Sequence, residues 1–462
     1  MNRQHTIFHL STDDIDGGAA RAAFRLHRAV NGLGLDEGVR SRMLVKRKKT
    51  DDDDVTVIPW VPGSPWKARF DRVRKRISWL KPDEAQAGYT FNFNAPPEID
   101  QEALAMHAAT PGAVLYLHWM NGFLDVQGLR RLWERSRPMV FWVIHDLEPF
   151  TGGCHYAFGC DGYTRQCGGC PQLHAPLEED LSRRTWNRKR ELLAEMPIRF
   201  IAPTGWGEAR VRESALFRNH PVHRIPLPMD IETFRPMEKK IARQVLRLPE
   251  EKPILLFGAT YLEDRRKGTE HLIEALHRLS ATIRPEDLQL LIVGLNGKSL
   301  MRQLPFPARY LGPVGDELLM ALAYQAADLF VCPSIEDSGP MMVSEAMLCE
   351  TPVVAFDAGA AADLITPMVN GYLAPLGDAP ELANGIMALL KVESPVALRR
   401  NARETAAAHH APPTVARRHA ELIRDSFGVP PSGGGSVTDR LTAELQTISE
   451  TSFMSRGDAR KE

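Results

Sequence analysis

Two acidic side chains, Asp337 and Glu345, stand eight residues apart around a Gly-Pro turn in the segment PSIEDSGPMMVSEAMLCETPVVAFD (333–357). An apolar run ends just before them and a helical pattern carries Glu345, which predicts both carboxylates near the carboxyl edge of a parallel strand. At that edge, helix N-termini offer free N–H groups to phosphate. Two acids at this spacing can hold hydroxyl groups at opposite ends of a nucleotide sugar, with its diphosphate between them. A capping acid followed by a solvated glutamate is the alternative interpretation.

A basic loop upstream carries the cations that transfer of a sugar from a nucleotide diphosphate would need. The segment ILLFGATYLEDRRKGTEHLIEAL (254–276) predicts a strand, then a loop with Arg265, Arg266 and Lys267, and then a helix. Fixed cations stabilise the negative charge that grows on a departing diphosphate, and one such contact commonly lowers the barrier by about 3 kcal/mol. The loop is therefore a candidate diphosphate-binding element, and a solvated basic loop is the alternative.

A glycine-rich turn, STDDIDGGAARAAFRL (11–26), follows the first strand candidate. Gly17 and Gly18 allow the backbone to approach a ligand closely, and the helix predicted from about Ala19 directs its free N–H groups there. The spacing is not G-x-G-x-x-G, which argues against a dinucleotide cofactor. An ordinary strand-to-helix turn has the same pattern.

Two histidines stand at the ends of predicted strands, His118 in LYLHWMNGF and His145 in FWVIHDLEPF. A side chain at the carboxyl edge of a parallel strand faces the ligand crevice. Both histidines are therefore candidate cleft residues, and for His118 a supporting role behind the cleft is an equal alternative.

The elements that must position these residues are apolar runs alternating with amphipathic stretches, which predict parallel sheets covered by helices. The chain has 462 residues, 44% of them hydrophobic, which is enough for two such domains of about 200 residues each. Four prolines within residues 221–237 indicate the hinge between them. The strand candidates are residues 6–10, 41–45, 55–58, 113–119, 139–144 and 199–203, and then 254–258, 288–293, 309–311, 329–332, 353–356 and 371–373.

The acidic pair resembles the E-x7-E signature of the retaining glycosyltransferases of family 4, with Asp337 in place of the usual first glutamate. The resemblance covers residues 6 to about 425. It implies an α/β fold of two Rossmann-like domains in the GT-B arrangement, with a cleft between them. It also implies that Asp337, with Glu336 and Gly339 beside it, binds the donor sugar and that Glu345 binds the ribose. The Asp-for-Glu replacement leaves open whether Glu336 fills the first acidic position.

The same resemblance assigns roles to the other candidates. Lys267, in a Lys-Gly dipeptide, and Arg266 would bind the diphosphate. The glycine-rich turn would face the leaving group and the acceptor, with Arg21 beside it. His145 would contact the donor sugar and help to orient it.

The resemblance also sets the expected domains. Residues 1–225 would form the acceptor-side domain, which includes a cysteine-rich loop at 151–173. Residues 236–411 would bind the nucleotide sugar, and a last helix at 412–428 would cross back onto the first domain. Residues 429–462 begin with the linker-like sequence VPPSGGGS and are predicted to form a flexible tail.

The implied function is transfer of a hexosyl unit from a UDP-, GDP- or ADP-sugar to a glycan, in particular a lipid-linked polysaccharide precursor. Such transfer is thought to use the donor's own phosphate oxygen as the base, so no cofactor is expected to be required for catalysis. A GT-B nucleotide-sugar epimerase and a non-catalytic glycan-binding or scaffold protein are the alternatives. A net charge of −1 gives no general attraction to nucleic acid.

Four cysteines, Cys154, Cys160, Cys167 and Cys170, fall within 17 residues and end in C-x2-C. This spacing fits a structural zinc site, although the first pair, C-x5-C, is wider than usual. Two disulfides and reduced thiols are the alternatives. The segment HDLEPFTGGCHY through CGGCPQL is similar to a subgroup of family 4 from exopolysaccharide clusters, the colanic-acid glycosyltransferases.

The segment WKARFDRVRKRISWLK (66–81) predicts a helix with apolar residues on one face and basic residues around it. Such a helix can lie on an anionic membrane surface, and a surface helix packed on the sheet is the alternative. No apolar run reaches the roughly 18 residues of a membrane span, and the first apolar run is too short for a signal peptide. The sequence thus predicts a cytoplasmic protein, peripheral at the inner face of the plasma membrane.

Overall fold

The computed structural model describes residues 4–34, 37–60, 99–173, 176–339 and 341–428. The predicted helix at 66–81 and the predicted tail at 429–462 lie outside these ranges. Among the described residues, no helix combines the length and the apolar character that crossing a membrane would require.

The N-terminal half of the chain builds one parallel sheet. Its strands are β1 (His5–Asp13), β2 (Val39–Arg47), β3 (Val55–Val57), β4 (Ala113–Leu117), β5 (Met139–Val143), β6 (Ile198–Ala202) and β7 (Val222–Arg224). They lie in the order β3-β2-β1-β4-β5-β6-β7, and each neighbouring pair is parallel. The central strand β4 reads as an unbroken apolar run, AVLYL, because both faces of a parallel sheet are buried.

Five described helices cover this sheet, and the last four begin at residues whose side chains cap them. They are α1 (Gly18–Asn31), α2 (Gln101–Ala108), α3 (Val126–Ser136), α4 (Leu181–Leu193) and α5 (Gly205–Glu213). Asp100, Asp125, Asp180 and Thr204 each accept a first-turn backbone N–H, which satisfies donors that have no partner within the helix.

The C-terminal half builds a second parallel sheet from β8 (Ile254–Tyr261), β9 (Gln289–Leu295), β10 (Ala308–Gly312), β11 (Leu329–Cys332), β12 (Val353–Phe356) and β13 (Gly371–Ala374). Their order is β10-β9-β8-β11-β12-β13. Its helices are α6 (Lys239–Val245), α7 (Thr269–Leu279), α8 (Gly297–Met301), α9 (Glu317–Ala326), α10 (Met341–Leu348), α11 (Gly359–Leu364), α12 (Ala379–Leu390) and α13 (Val396–His410). Single-turn 3₁₀ helices lie at Glu148–Phe150, Gly162–Thr164, Arg265–Lys267 and Pro285–Asp287.

Both sheets reverse their strand order next to their first strand, between β1 and β4 in the first and between β8 and β11 in the second. In open α/β sheets the crevice outside the carboxyl ends of the strands at such a point is the ligand site. The loops that follow β1, β4, β8 and β11 are therefore the expected location of a ligand site.

The last helix, α14 (Pro412–Ser426), lies against the N-terminal sheet although the C-terminal domain precedes it in the chain. Its buried apolar side chains belong to the same core cluster as Leu26 of α1 and Tyr116 of β4. The Tyr116 hydroxyl and the Nδ1 atom of His419 are 3.2 Å apart, and Arg424 pairs with Glu37 at 2.7 Å.

The predicted pair of parallel-sheet α/β domains is confirmed. One interpretation differs from the structure: the segment 221–237, taken as the hinge, begins with β7, which pairs with β6 as the edge strand of the first sheet. Its three residues, VHR, alternate too briefly beside the prolines to give a strand signal.

Buried neutral histidines lead to a prediction about acid stability. Burial lowers the pKa of His410 and of His419 to about 3. In the unfolded chain these rings bind protons below about pH 6.5, whereas the folded protein keeps them neutral, so unfolding takes up protons as the pH falls. We expect the Tm from differential scanning fluorimetry to fall between pH 7.5 and pH 5.

The variant His419→Leu is the control for this prediction, because it removes one of the buried titrating rings. Its Tm should change less over the same pH interval than that of the wild type. A wild-type Tm that holds steady or rises on acidification contradicts the prediction.

Candidate active site

Lys267 and Asp337 meet at the point where the second sheet reverses its strand order. Lys267 lies in the loop after β8 and Asp337 in the loop after β11, and the lysine ammonium group donates a hydrogen bond to the Asp337 carboxylate. Burial favours the neutral acid, but the charges of Lys267 and Arg266 outweigh it and hold the pKa of Asp337 below its ordinary value. The Asp337 carboxyl is thus ionised at neutral pH.

The backbone of the two loops is locked together behind this pair. Gly268 has a φ of 68°, and a Cβ atom at this position would lie 1.8 Å from the carbonyl oxygen of Pro333. The Ile335 N–H donates to the Arg266 carbonyl oxygen at 2.8 Å. The glycine of the Lys-Gly dipeptide is therefore required for the close approach of the two loops.

Arg266 is held between the two domains. Its guanidinium carbon lies 3.8 Å from the centre of the Tyr156 ring, a cation–π contact with the cysteine-rich loop. The same guanidinium pairs with Asp264 at 2.5 Å. Arg265, its neighbour, is exposed, which favours Arg266 as the arginine of the site.

Glu336 has a partner that the sequence did not indicate. Its two carboxylate oxygens accept the backbone N–H groups of Ala157 and Phe158 at 2.9 and 2.8 Å. Both oxygens are thereby engaged by the cysteine-rich loop of the other domain. This arrangement favours Asp337, which faces Lys267, for the first acidic position, and gives Glu336 the role of an interdomain contact.

The loop after β11 also contacts the ends of β5 and β6. The Ser338 hydroxyl donates to the backbone carbonyl of His145, and the Thr204 hydroxyl donates to the Ser338 carbonyl at 2.6 Å. Gly339 has a φ of 150°, and a Cβ atom there would lie 3.0 Å from Thr204. The loop that carries Asp337 is thus hydrogen-bonded to the backbone of His145, just after β5 of the other domain.

Glu345 lies on α10 and is buried. One of its oxygens accepts a hydrogen bond from Tyr324 at 3.0 Å, and the other pairs with Arg25 of α1 at 3.1 Å. Arg25 also pairs with Glu317 at 2.7 Å. Burial lowers the pKa of Arg25, but the charges of Glu345 and Glu317 more than compensate and raise it.

Arg25 is a site residue that sequence analysis missed. It lies in the amphipathic pattern of α1, where an arginine resembles any solvated residue, and only its position across the cleft distinguishes it.

The glycine-rich turn faces the same helix. Gly17 has a φ of 91° and precedes α1, and a Cβ atom on Gly18 would lie 3.7 Å from the methyl group of Met341, the first residue of α10. The Arg21 guanidinium reaches the carbonyl of Gly315 at 3.4 Å. The turn therefore lies against α10 of the opposite domain, and Arg21 contacts the backbone of that domain.

Three imidazoles extend from the cleft into the N-terminal sheet. The Nε2 atom of His145 lies 2.9 Å from Nδ1 of His118, and Nε2 of His118 lies 2.9 Å from Nδ1 of His9. Burial lowers the pKa of His145 to about 4 and the pKa values of His118 and His9 well below their ordinary range. The predicted alternative for His118, a supporting role behind the cleft, fits this position.

The cysteine-rich loop is anchored at its base by buried charge. The Lys189 ammonium group pairs with the Glu148 carboxylate at 2.7 Å and donates to the Thr151 carbonyl at 2.9 Å. Because a charge is stable in the interior only when it is paired and hydrogen-bonded, this pair holds the loop against α4.

The four cysteines predicted as zinc ligands all line one cavity within this loop, Cys154, Cys160, Cys167 and Cys170. Burial raises the pKa of Cys154 well above its ordinary value, and it raises that of Cys167 to about 12. Over the described ranges, no group of three or more His, Cys, Asp or Glu side chains is arranged to hold a metal ion. The zinc site stays a prediction.

The comparisons with known proteins single out the half of the chain that carries Lys267, Asp337 and Glu345. Residues 252–392 match the family model Glycosyl transferases group 1. The matched region begins just before β8 and ends just after α12, so it contains all three residues. At the level of this domain the predicted enzyme class is confirmed.

The curated relatives that match this chain include a glycosyltransferase and a mannosyltransferase. The chain is 31% identical over 186 residues to D-inositol 3-phosphate glycosyltransferase of Xylanimonas cellulosilytica, covering 37% of this chain and 43% of the relative. It is 35% identical over 156 residues to phosphatidyl-myo-inositol mannosyltransferase of Mycobacterium leprae, covering 32% of this chain and 40% of the relative. The alignments thus span less than half of these relatives.

Solved structures share the fold over nearly the whole chain. Sucrose-phosphate synthase from Thermosynechococcus elongatus aligns with a TM-score of 0.65 at 20% identity, over 92% of this chain and 100% of that one. Anabaena HepE in complex with UDP-glucose aligns with a TM-score of 0.60 at 16% identity, over 91% of this chain and 99% of that one. The fold is therefore the GT-B arrangement of two parallel-sheet domains.

Proposed function

We propose that this protein is a retaining glycosyltransferase that moves a hexosyl unit from a nucleoside diphosphate sugar to a polysaccharide precursor, in particular a lipid-linked one. The observation that carries the proposal is the pairing of Lys267 with Asp337 at the strand-order reversal of the second sheet, across the cleft from His145. A cation and an acid at this point match the needs of a departing diphosphate and of a sugar hydroxyl.

The roles of the residues follow from their positions. Lys267, with Arg266 beside it, would neutralise the diphosphate as its bond to the sugar breaks. Asp337 would accept hydrogen bonds from the hexosyl hydroxyls, and His145 would contact the same sugar from the N-terminal domain. Glu345 is held by Tyr324 and Arg25, and its remaining lone pairs can accept the ribose hydroxyls.

The printed names of relatives bear on the donor and the acceptor. One relative is a GDP-mannose-dependent alpha-mannosyltransferase, and one structural neighbour holds UDP-glucose, so the donor class proposed here is a nucleoside diphosphate hexose. A relative named phosphatidyl-myo-inositol mannosyltransferase supports a lipid-linked acceptor. The basic amphipathic pattern at 66–81 fits docking at the membrane that carries such an acceptor.

A donor panel without acceptor tests the proposal. The full chain is incubated with UDP-, GDP- and ADP-hexoses, while binding is followed by ligand-detected NMR and nucleotide release by chromatography. We expect binding and slow nucleotide release with donors of one base. Failure to bind any nucleotide would favour the glycan-binding or scaffold alternative, and release of an epimerised sugar would favour the epimerase.

Glu345→Ala is expected to weaken binding of the active donor about tenfold to a hundredfold, because a hydrogen bond to a charged group is worth about 1.5–3 kcal/mol. The dissociation constant is measured by calorimetry. Glu404→Ala, which removes an exposed glutamate on α13, is the matched control and should bind as the wild type does. Equal donor affinity of Glu345→Ala and wild type would contradict the ribose assignment.

A further inference from the structure

The three hydrogen-bonded imidazoles lie in one row across adjacent strands. His9 belongs to β1, His118 follows β4 and His145 follows β5, and these strands are neighbours in the order β1-β4-β5. Each imidazole lies 2.9 Å from the next, always Nδ1 of one ring to Nε2 of the other. His9 is fully buried, and His145 is the member at the cleft.

Such a row permits only two arrangements of protons. Burial keeps all three rings neutral, so each carries a single N–H group. Each hydrogen bond in the row needs one proton between its two nitrogens. Either all three rings are protonated on Nδ1, or all three are protonated on Nε2.

The inner end of the row favours one arrangement. The Nε2 atom of His9 is buried and has no hydrogen-bond partner among the described residues. Among the described residues, the rings of Tyr116 and His27 also lie next to that of His9, with centroids 5.3 and 6.1 Å away. Among backbone groups a buried N–H donor without an acceptor is rarer than an under-satisfied acceptor, and by the same reasoning we infer that Nε2 of His9 is the deprotonated nitrogen.

The tautomer of His9 determines the tautomer of His145 at the cleft. With His9 protonated on Nδ1, His118 must accept on Nε2 and donate from Nδ1, and His145 must accept on Nε2. The remaining nitrogen of His145, Nδ1, then carries the proton. No hydrogen bond to this Nδ1 atom is made by the part of the protein that the structure describes, so the N–H group is available to a ligand.

We propose that His9 and His118 are positioning residues that fix the proton of His145 on Nδ1, so that His145 presents a hydrogen-bond donor to a hydroxyl oxygen of the hexosyl unit. The proposal rests on the proposed function for the identity of that ligand. The tautomer itself is a property of the free protein. His9 reaches the substrate only through His118 and His145, and it lies too deep to contact any ligand.

The tautomer is read from two-bond ¹H–¹⁵N spectra of the full chain labelled with ¹⁵N-histidine, in which Nδ1–H and Nε2–H rings give different patterns. The His145 signals are assigned by their loss in His145→Gln. We expect the Nδ1–H pattern for His145 in the wild type. A wild-type Nε2–H pattern would overturn the proposal whether or not the protein turns over any donor.

Variants of His9 test the coupling. His9→Leu leaves His118 free to reverse its proton, so we expect a mixed His145 pattern and nucleotide release about tenfold slower, with the affinity for the free nucleoside diphosphate unchanged. In His9→Asn the side-chain amide occupies the place of Nδ1 and can donate to His118. This variant should restore the Nδ1–H pattern and bring release back to within about threefold of the wild type.

His419→Leu is the control for the loss of a buried imidazole, because His419 is equally buried and contacts Tyr116 outside the row. It should keep the wild-type His145 spectrum and release rate. If His9→Leu and His419→Leu slow release equally, or if His9→Asn fails to restore the His145 pattern while remaining folded, the proposal is wrong. A wild type with the expected tautomer but no nucleotide-sugar binding would instead count against the proposed function.

Discussion

Lys267→Ala is expected to slow acceptor-independent nucleotide release at least about a hundredfold, because removal of one preorganised donor from a developing anion commonly costs a factor of about 10²–10³ in kcat. The ammonium group of Lys267 is the cation that contacts Asp337 directly. Without it the departing diphosphate loses its nearest countercharge, and the pKa of the buried Asp337 carboxyl should rise toward that of a desolvated acid. Release is measured at saturating donor, so that weaker binding does not enter the rate.

The matched control for Lys267→Ala is Arg265→Ala. Arg265 lies two positions away in the same basic loop but is exposed, and its removal changes the net charge by the same amount. Its release rate should remain within about twofold of the wild type, because a solvated charge contributes little. Equal losses in the two variants would show that the loop acts only through its general charge, and would contradict a direct contact of Lys267 with the diphosphate.

The sequence predicts those parts of the site that depend on local pattern. Buried parallel strands appear as apolar runs, and the residues that follow them must gather at one edge of the sheet. For this reason the sequence alone predicts Lys267, Asp337 and His145 at the cleft. Glu345 follows from its place on a helix that begins at the same edge.

Other parts depend on how the two domains face each other, which no local pattern encodes. Arg25 has the appearance of a surface residue of α1 until Glu345 and Glu317 are brought against it. Tyr156 contacts Arg266 of the C-terminal domain, and Glu336 accepts a hydrogen bond from Ala157 of the N-terminal domain. Both contacts involve the irregular backbone of the cysteine-rich loop, where no periodicity indicates which way a side chain points. His9 alternates with its neighbours as any strand residue does, and its bond to His118 follows only from strand order.

Domain contacts also explain why the first acidic position was ambiguous. Glu336 and Asp337 are adjacent, so their side chains point in different directions from the same loop. Glu336 is turned to the backbone of the cysteine-rich loop and Asp337 to Lys267. Residues 157 and 158, which are far away in sequence, therefore determine that Asp337 and not Glu336 faces Lys267.

Gly268→Ala is expected to destabilise the protein by roughly 3 kcal/mol or more and to abolish most of the nucleotide release. Two effects add at this position. A residue with a side chain costs about 1–2 kcal/mol in the left-handed conformation, and the new Cβ atom would lie 1.8 Å from the carbonyl oxygen of Pro333. Because that neighbour is backbone at the end of β11, relief requires the two loops to separate, and Lys267 would move away from Asp337.

Gly312→Ala separates the two effects. Gly312 has a φ of 78°, close to the 68° of Gly268, but a Cβ atom there would meet nothing within 4 Å. This variant should lose only the conformational part of the stability and keep the wild-type rate of release, whereas Gly268→Ala should lose both. Urea unfolding and donor turnover measured on the two variants decide the matter. If Gly268→Ala is no less stable and no slower than Gly312→Ala, the close approach of the β8 and β11 loops does not hold Lys267 in place.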